Sequence, residues 1–303
     1  MKPIFPSLAA AVLALGASSV LLGADNVAQA RDGRDTVAAD LGSDAIAAAN
    51  AAVLEDGGDP DQLSRGPRGL DTRVDVTNHF AYQSNAELDG RGGEGDFVWF
   101  PAVTGSADYR LSEQASLEGR ASLQSGIYAD LDELDFWGVA AEALARRELT
   151  GGWSLYGGAE AYDYQSLSDG DGLTRGIAPG AGLAYARYYP SSRTYATADL
   201  GLKHHYTSPS ADERDEASAS FGVSHQLGDR LYAQAYYAYR YSNYEDTDRR
   251  DHRHAVGLAL LHAYGDAARA SIGVSFADND SNTAGADYQT INITLGTTLS
   301  WQF

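Results

Sequence analysis

Residues 245–254 read Glu-Asp-Thr-Asp-Arg-Arg-Asp-His-Arg-His, the densest polar run in the chain. Carboxylates beside imidazoles suit the activation of water by a general base. His252 and His254 are the residues on which such chemistry would rest. The same run reads equally as a solvated loop, and hydrolysis of that kind draws partners from several loops. A second run, His204-His205-Tyr206-Thr207-Ser208, offers imidazole and hydroxyl. On an extended strand His205 and Ser208 point to opposite faces, while His204 and Ser208 share a face roughly 13 Å apart. Neither pair is a nucleophile–base dyad. Carboxylates cluster at Asp130, Asp132, Glu133 and Asp135, at Asp169 and Asp171, and at Asp278 and Asp280. Oxygen-only clusters suit Ca²⁺ or Mg²⁺, but none here has EF-hand spacing, and all read equally as solubilising charge. No catalytic residue, metal ligand or cofactor is assigned, and the chain is not expected to be an enzyme.

The composition narrows the setting for these groups. The 303 residues carry 22 Lys+Arg against 42 Asp+Glu, a formal net charge of -20. That disfavours nucleic acid as a partner, since binding it needs a basic footprint. There is no cysteine, which excludes disulfides, thiolate metal sites and cysteine nucleophiles. A mean hydropathy of -0.33 argues against a helical membrane protein. The 19 Tyr and 33 Gly make an unusual mixture for a soluble enzyme.

The first thirty residues read as an export address. Lys2 supplies a positive start, Leu8 to Ala24 is apolar or small throughout, and Ala28-Gln29-Ala30 fits a signal-peptidase site. Residues 1–30 are therefore expected to be a cleaved signal peptide. Residues 31–70 form an extension, Ala-rich over Thr36 to Leu54 and then rich in Gly, Pro, Asp and Arg. It is too small to hold a core alone. It reads either as a flexible periplasmic extension or as a short helix plugging a pore.

From Asp71 onward the chain alternates with period two. Ile291, Ile293, Leu295, Leu299, Trp301 and Phe303 fall on one parity, and Asn292, Thr294, Gly296, Thr298, Ser300 and Gln302 on the other. That is a strand with one apolar and one polar face. About twelve such segments follow one another, each long enough to cross a bilayer at a tilt. Their connections alternate between short turns, such as Gly228-Asp229, and mostly longer charged loops, such as 244–250. A soluble barrel has no reason to sort its loops by side, whereas an outer-membrane barrel has short periplasmic turns and longer external loops. Aromatics near segment ends (Trp99, Tyr109, Trp137, Trp153, Tyr206, Tyr264, Tyr288, Trp301) suit interfacial girdles. The predicted fold is all-β: a closed, up-and-down antiparallel transmembrane barrel over 71–303.

Thr294, Gly296, Leu299, Trp301 and terminal Phe303 place a polar residue, a glycine, two spaced hydrophobics and a final aromatic in order. This ending resembles the insertion signal of Gram-negative outer-membrane β-barrel proteins. The resemblance implies residence in the outer membrane and recognition by the barrel assembly machinery and periplasmic chaperones. Outer-membrane lipids and lipopolysaccharide are then expected partners, with divalent ions on loop carboxylates as bridges to its phosphates. The chain carries no signature of a particular twelve-stranded group.

Parity assigns the inner wall. Its acidic residues are Asp75, Asp108, Glu118, Glu142, Glu160 and Asp199, and its basic residues Arg73, Arg120, Lys203, Arg240, Arg253 and Arg269. The acids fall on the first seven strands and most of the bases on the seventh to eleventh, which predicts two facing arcs of opposite sign. Such arcs suit either a transverse field across a pore or mutual salt bridges that fill the interior. Inward small residues, including Gly176, Gly180, Gly182 and Gly257, predict open volume. Inward Tyr156, Tyr162, Tyr232 and Tyr236 suit either a solute track or simple packing. The preferred expectation is a narrow channel for passive diffusion of small hydrophilic solutes. A closed scaffold barrel is the alternative, and a rim hydrolase a weaker third.

Overall fold

The computed structural model describes residues 69–88, 93–168, 170, 172–265 and 267–303. The proposed signal peptide, nearly all of the 31–70 extension, and Asp169 and Asp171 lie outside the described residues. Twelve strands follow in order: β1 (Leu70–Gln83), β2 (Asp96–Ser112), β3 (Ala115–Tyr128), β4 (Phe136–Glu148), β5 (Trp153–Ser166), β6 (Gly172–Tyr189), β7 (Thr194–Ser208), β8 (Arg214–Gly228), β9 (Leu231–Tyr244), β10 (Arg250–Ala263), β11 (Ala268–Ser281) and β12 (Tyr288–Gln302). Each pairs antiparallel with its sequence neighbours, and β1 with β12, so the sheet is a closed barrel. The twelve-segment reading matches this architecture with strand ends within a few residues.

Closure leaves no free sheet edge, as a lipid-facing sheet requires. The seam runs in register from Arg73↔Gln302 to Gln83↔Asn292, and the Phe303 N–H donates to Thr72 O at 2.9 Å. Both chain ends of the barrel therefore lie at one rim. That rim also carries the short connections, of two to four residues, while the opposite rim carries those of five to twelve. The tight turn before β5 depends on Gly152 at φ 88, where an added Cβ would stand 2.6 Å from Ala186 O.

The outer face is apolar along most strands. Phe80, Phe97, Leu123, Ile177, Leu200, Phe221, Leu258 and Ile272 all project outward and exposed, as do the apolar positions of β12 from Ile291 to Trp301. Seven of the eight expected girdle aromatics also face outward. Tyr288 does not: it is 3% exposed and points inward, because position 288 shares the parity of Thr290 and Asn292. Proximity to a strand end could not reveal this, whereas the strand's own alternation does.

Candidate functional site

The alternation that turns apolar residues outward turns the charged ones into the lumen. Arg120, Glu142 and Glu160 stand side by side across β3, β4 and β5. Lys203 reaches Glu160 at 3.5 Å, and Glu216, its register partner on β8, is approached by Arg214 at 3.4 Å, His205 at 3.6 Å and Arg240 at 3.7 Å. Toward the short-turn rim, Arg73 pairs with Asp75 at 2.9 Å, and Ser300 bonds to both. Arg146 grips Glu118 at 2.5 Å, lies over the Tyr156 ring, and Tyr156 donates to Asp199 at 3.0 Å. Asp108, Arg253 and Arg269 occupy inward positions of β2, β10 and β11.

The expected segregation into an acidic and a basic arc does not hold. Arg146 sits among the acids, and Glu216 and Asp251 sit among the bases, with Arg249 on Asp251 at 2.5 Å. Opposite charges are neutralised beside one another, as burial in a narrow lumen demands. Arg146 shares the parity of Glu142, Glu216 that of Ser218, and Asp251 that of Arg253. All three were accessible to parity.

The two ends of the lumen differ. Near the long-loop rim almost every inward side chain is buried, with Gln83 and Asn292 at 0% exposure. One side of this zone is aromatic: Phe136, Tyr162 and Tyr164 pack with Ala178, and Phe100 lies against both them and Tyr128. Ala86 and Leu134 from two long loops join it. The facing side is polar, with Gln83, Arg214, Ser242, Asp251, Arg253, Asn279, Thr290 and Asn292 all buried. Toward the other rim the wall on β3 and β4 is solvated, with Arg146 and Glu118 at 29% and 30%, while Tyr195, Tyr232 and Leu261 pack as a buried cluster on β7, β9 and β10.

The inward glycines do not leave the open volume expected of them. A Cβ on Gly138 would collide with the Tyr164 ring, one on Gly182 with Tyr156, and one on Gly257 with Tyr236. Each glycine is the floor on which a ring from the neighbouring strand lies, the arrangement known as aromatic rescue. The four inward tyrosines pack against the wall, and two of them hydrogen-bond: Tyr162 with His205 Nδ1 at 3.3 Å and Tyr156 with Asp199 at 3.0 Å.

A family model described as "Putative beta-barrel porin 2" matches residues 205–301. An outer-membrane channel from Pseudomonas putida F1 shares the fold at 12% identity and a TM-score of 0.51, over 80% of this chain and 99% of that one. The KdgM porin aligns at 9% identity and TM-score 0.43, over 75% and 99% of the two chains. The translocator domain of the autotransporter NalP from Neisseria meningitidis aligns at 13% and 0.43, over 79% and 91%. No curated protein matches the chain in sequence. Over residues 205–301 this chain resembles that porin-type family, and its fold is one that outer-membrane barrels share. We name the short-turn rim periplasmic and the long-loop rim external, after the loop-length rule for outer-membrane barrels.

At its external rim the barrel does not assemble the hydrolytic groups of the 245–254 run. Alternation sends Asp251 and Arg253 inward and His252 and His254 outward. The two imidazoles form a ladder with tyrosines of β9: Tyr239 Oη lies 2.8 Å from His252 Nδ1, and Tyr237 Oη 2.9 Å from His254 Nδ1. Asp280 and Asp278 stand opposite these histidines on β11. The 130–135 carboxylates act within their loop. Asp135 accepts the Tyr128 N–H at 2.6 Å, and burial, reinforced by Asp132, Asp96 and Glu133, pushes its carboxyl above the usual range. Asp96, at the start of β2, accepts the N–H groups of Asp130 and Leu131, both at 3.0 Å.

Proposed function

We propose that the barrel is a narrow channel for passive diffusion of small hydrophilic solutes, open to the periplasm through a charged vestibule and constricted at its external half. The observation that carries this reading is the chemistry of the constriction. An apolar filling would keep water out. Here half of the filling is Gln, Asn, Thr, Ser, Asp and Arg. Gln83 Nε2 and Thr290 Oγ1 find no hydrogen-bond partner among the described residues. Such buried groups cost about 1–3 kcal/mol each until water reaches them. Hydration, and with it opening, is favoured on the polar side, while the aromatic side offers a smooth face to a passing solute. The reading gives the barrel no catalytic step. It keeps the barrel assembly machinery and periplasmic chaperones as partners for the last strand, and lipopolysaccharide around the external rim.

Single-channel recording of the refolded protein in a planar bilayer tests the proposal. Small, discrete steps are expected, with an ion preference that reverses or weakens in Arg120→Glu. The burial of the external half favours a second reading, a permanently closed scaffold. A barrel that is folded by heat-modifiable gel mobility yet silent, and still silent after the constriction is trimmed, would establish the scaffold instead.

A further inference from the structure

The outward face of β7 to β9 breaks the apolar band before it reaches the external rim. Alternation places His204 on this face, two positions beyond Leu202. Asp215 is its register partner on β8. Glu245 follows β9, and its N–H donates to Glu213 O at 3.0 Å, which lays the 209–213 and 245–249 loops side by side. Three carboxylates thereby converge on one imidazole: Asp215 at 2.8 Å and Glu245 at 3.9 Å from Nδ1, and Glu213 at 3.8 Å from Nε2. The Tyr206 ring packs edge-on to His204 at 4.2 Å and fixes its plane.

We propose that His204, Asp215 and Glu245 bind a divalent metal ion of the zinc class on the external rim. The ligand atoms of these three residues all lie within 4.8 Å of one another. A coordination shell of radius about 2.0–2.2 Å separates neighbouring ligand atoms by roughly 3–4 Å, so the shell closes with small side-chain rotations. The donor set selects the metal. One imidazole with two carboxylates suits Zn²⁺ and its first-row neighbours, while an all-oxygen set would suit Ca²⁺ or Mg²⁺. Asp215 and Glu245 are solvent-exposed, so water or an anionic oxygen completes the sphere. The ligands come from β7, β8 and the loop after β9, so the ion would clamp that loop to the wall. The His252 and His254 pair, with each Nδ1 engaged by a tyrosine hydroxyl, is a built-in comparison: same rim, same residue type, and no group of three converging ligands among the described residues.

The test is calorimetric titration of Zn²⁺ into the refolded, tag-free protein in micelles, with folding checked by heat-modifiable gel mobility. One saturable site per chain is expected. Loss of even an outer-shell partner costs about 10–100-fold in metal affinity, so His204→Ala is expected to weaken binding at least that much. Glu245→Gln, which lies in a loop and leaves the strands intact, should weaken it as well. The His252→Ala/His254→Ala double variant should bind as the parent does. Absence of saturable binding, binding untouched by His204→Ala and Glu245→Gln, or binding lost only in the double variant would each overturn the assignment.

Discussion

The external and periplasmic halves of the lumen are made by the same twelve strands with the same alternation, yet they have become different materials. In the external half, rings lie on glycine floors and polar side chains fill what remains. In the periplasmic half Arg146 and Glu118 form a local pair still reached by solvent on β3 and β4, while Tyr195, Tyr232 and Leu261 pack together on β7, β9 and β10. A β-barrel of this circumference is therefore neither a tube nor a plug by strand count alone. What decides is whether an inward position carries a ring with a glycine beside it or a charge with its counter-charge beside it. The first consumes volume, and the second holds volume open by keeping water.

That contrast can be broken experimentally. Phe136 is fully buried in the external half, and Phe136→Ala is expected to cost about 3–5 kcal/mol, read from the urea midpoint, while raising single-channel conductance. Gly138→Val forces the Tyr164 ring off its floor; overpacking of this kind costs about 1–3 kcal/mol. Gly119→Ala, on the outward face with open space around its Cβ, should leave the midpoint in place. In the periplasmic half, Arg146→Met removes a solvated pair with Glu118 worth up to about 1 kcal/mol, so the midpoint should scarcely move while ion preference shifts toward cations. A loss in Arg146→Met as large as that in Phe136→Ala would erase the distinction between the halves.

The smallest effect concerns the loop that caps the aromatic side. The Asp135 carboxyl has a raised pKa in the folded protein, chiefly through burial. The folded state then holds its proton to higher pH than the unfolded state, so stability declines as pH rises from the ordinary Asp value through the raised one. Asp135→Asn should remove that part of the slope, measured as the difference between the two pH profiles.

The strands were legible in the sequence because two faces in contact with different media leave a period-two record in every one of them. The inward charges were legible for the same reason, including Arg146 and Glu216 once their parity is followed to the strand ends. The constriction was not. Whether Gly257 leaves a gap or seats the Tyr236 ring depends on the register between β9 and β10, which neither strand states alone. Nor was the His204 cluster legible, since its ligands come from two strands and a loop, and only barrel closure sets their spacing.

Every strand pairing but one joins neighbours along the chain across a connection of a dozen residues or fewer. The exception is the seam, where Thr72 Oγ1 donates to Phe303 O across 231 positions. Loop-closure entropy and contact order both place such a contact late in assembly. Until it forms, β1 and β12 each offer an unpaired row of N–H and C=O groups, and an exposed strand edge will accept any other strand. The last event in building this barrel is therefore also its moment of greatest exposure to mispairing with a second chain.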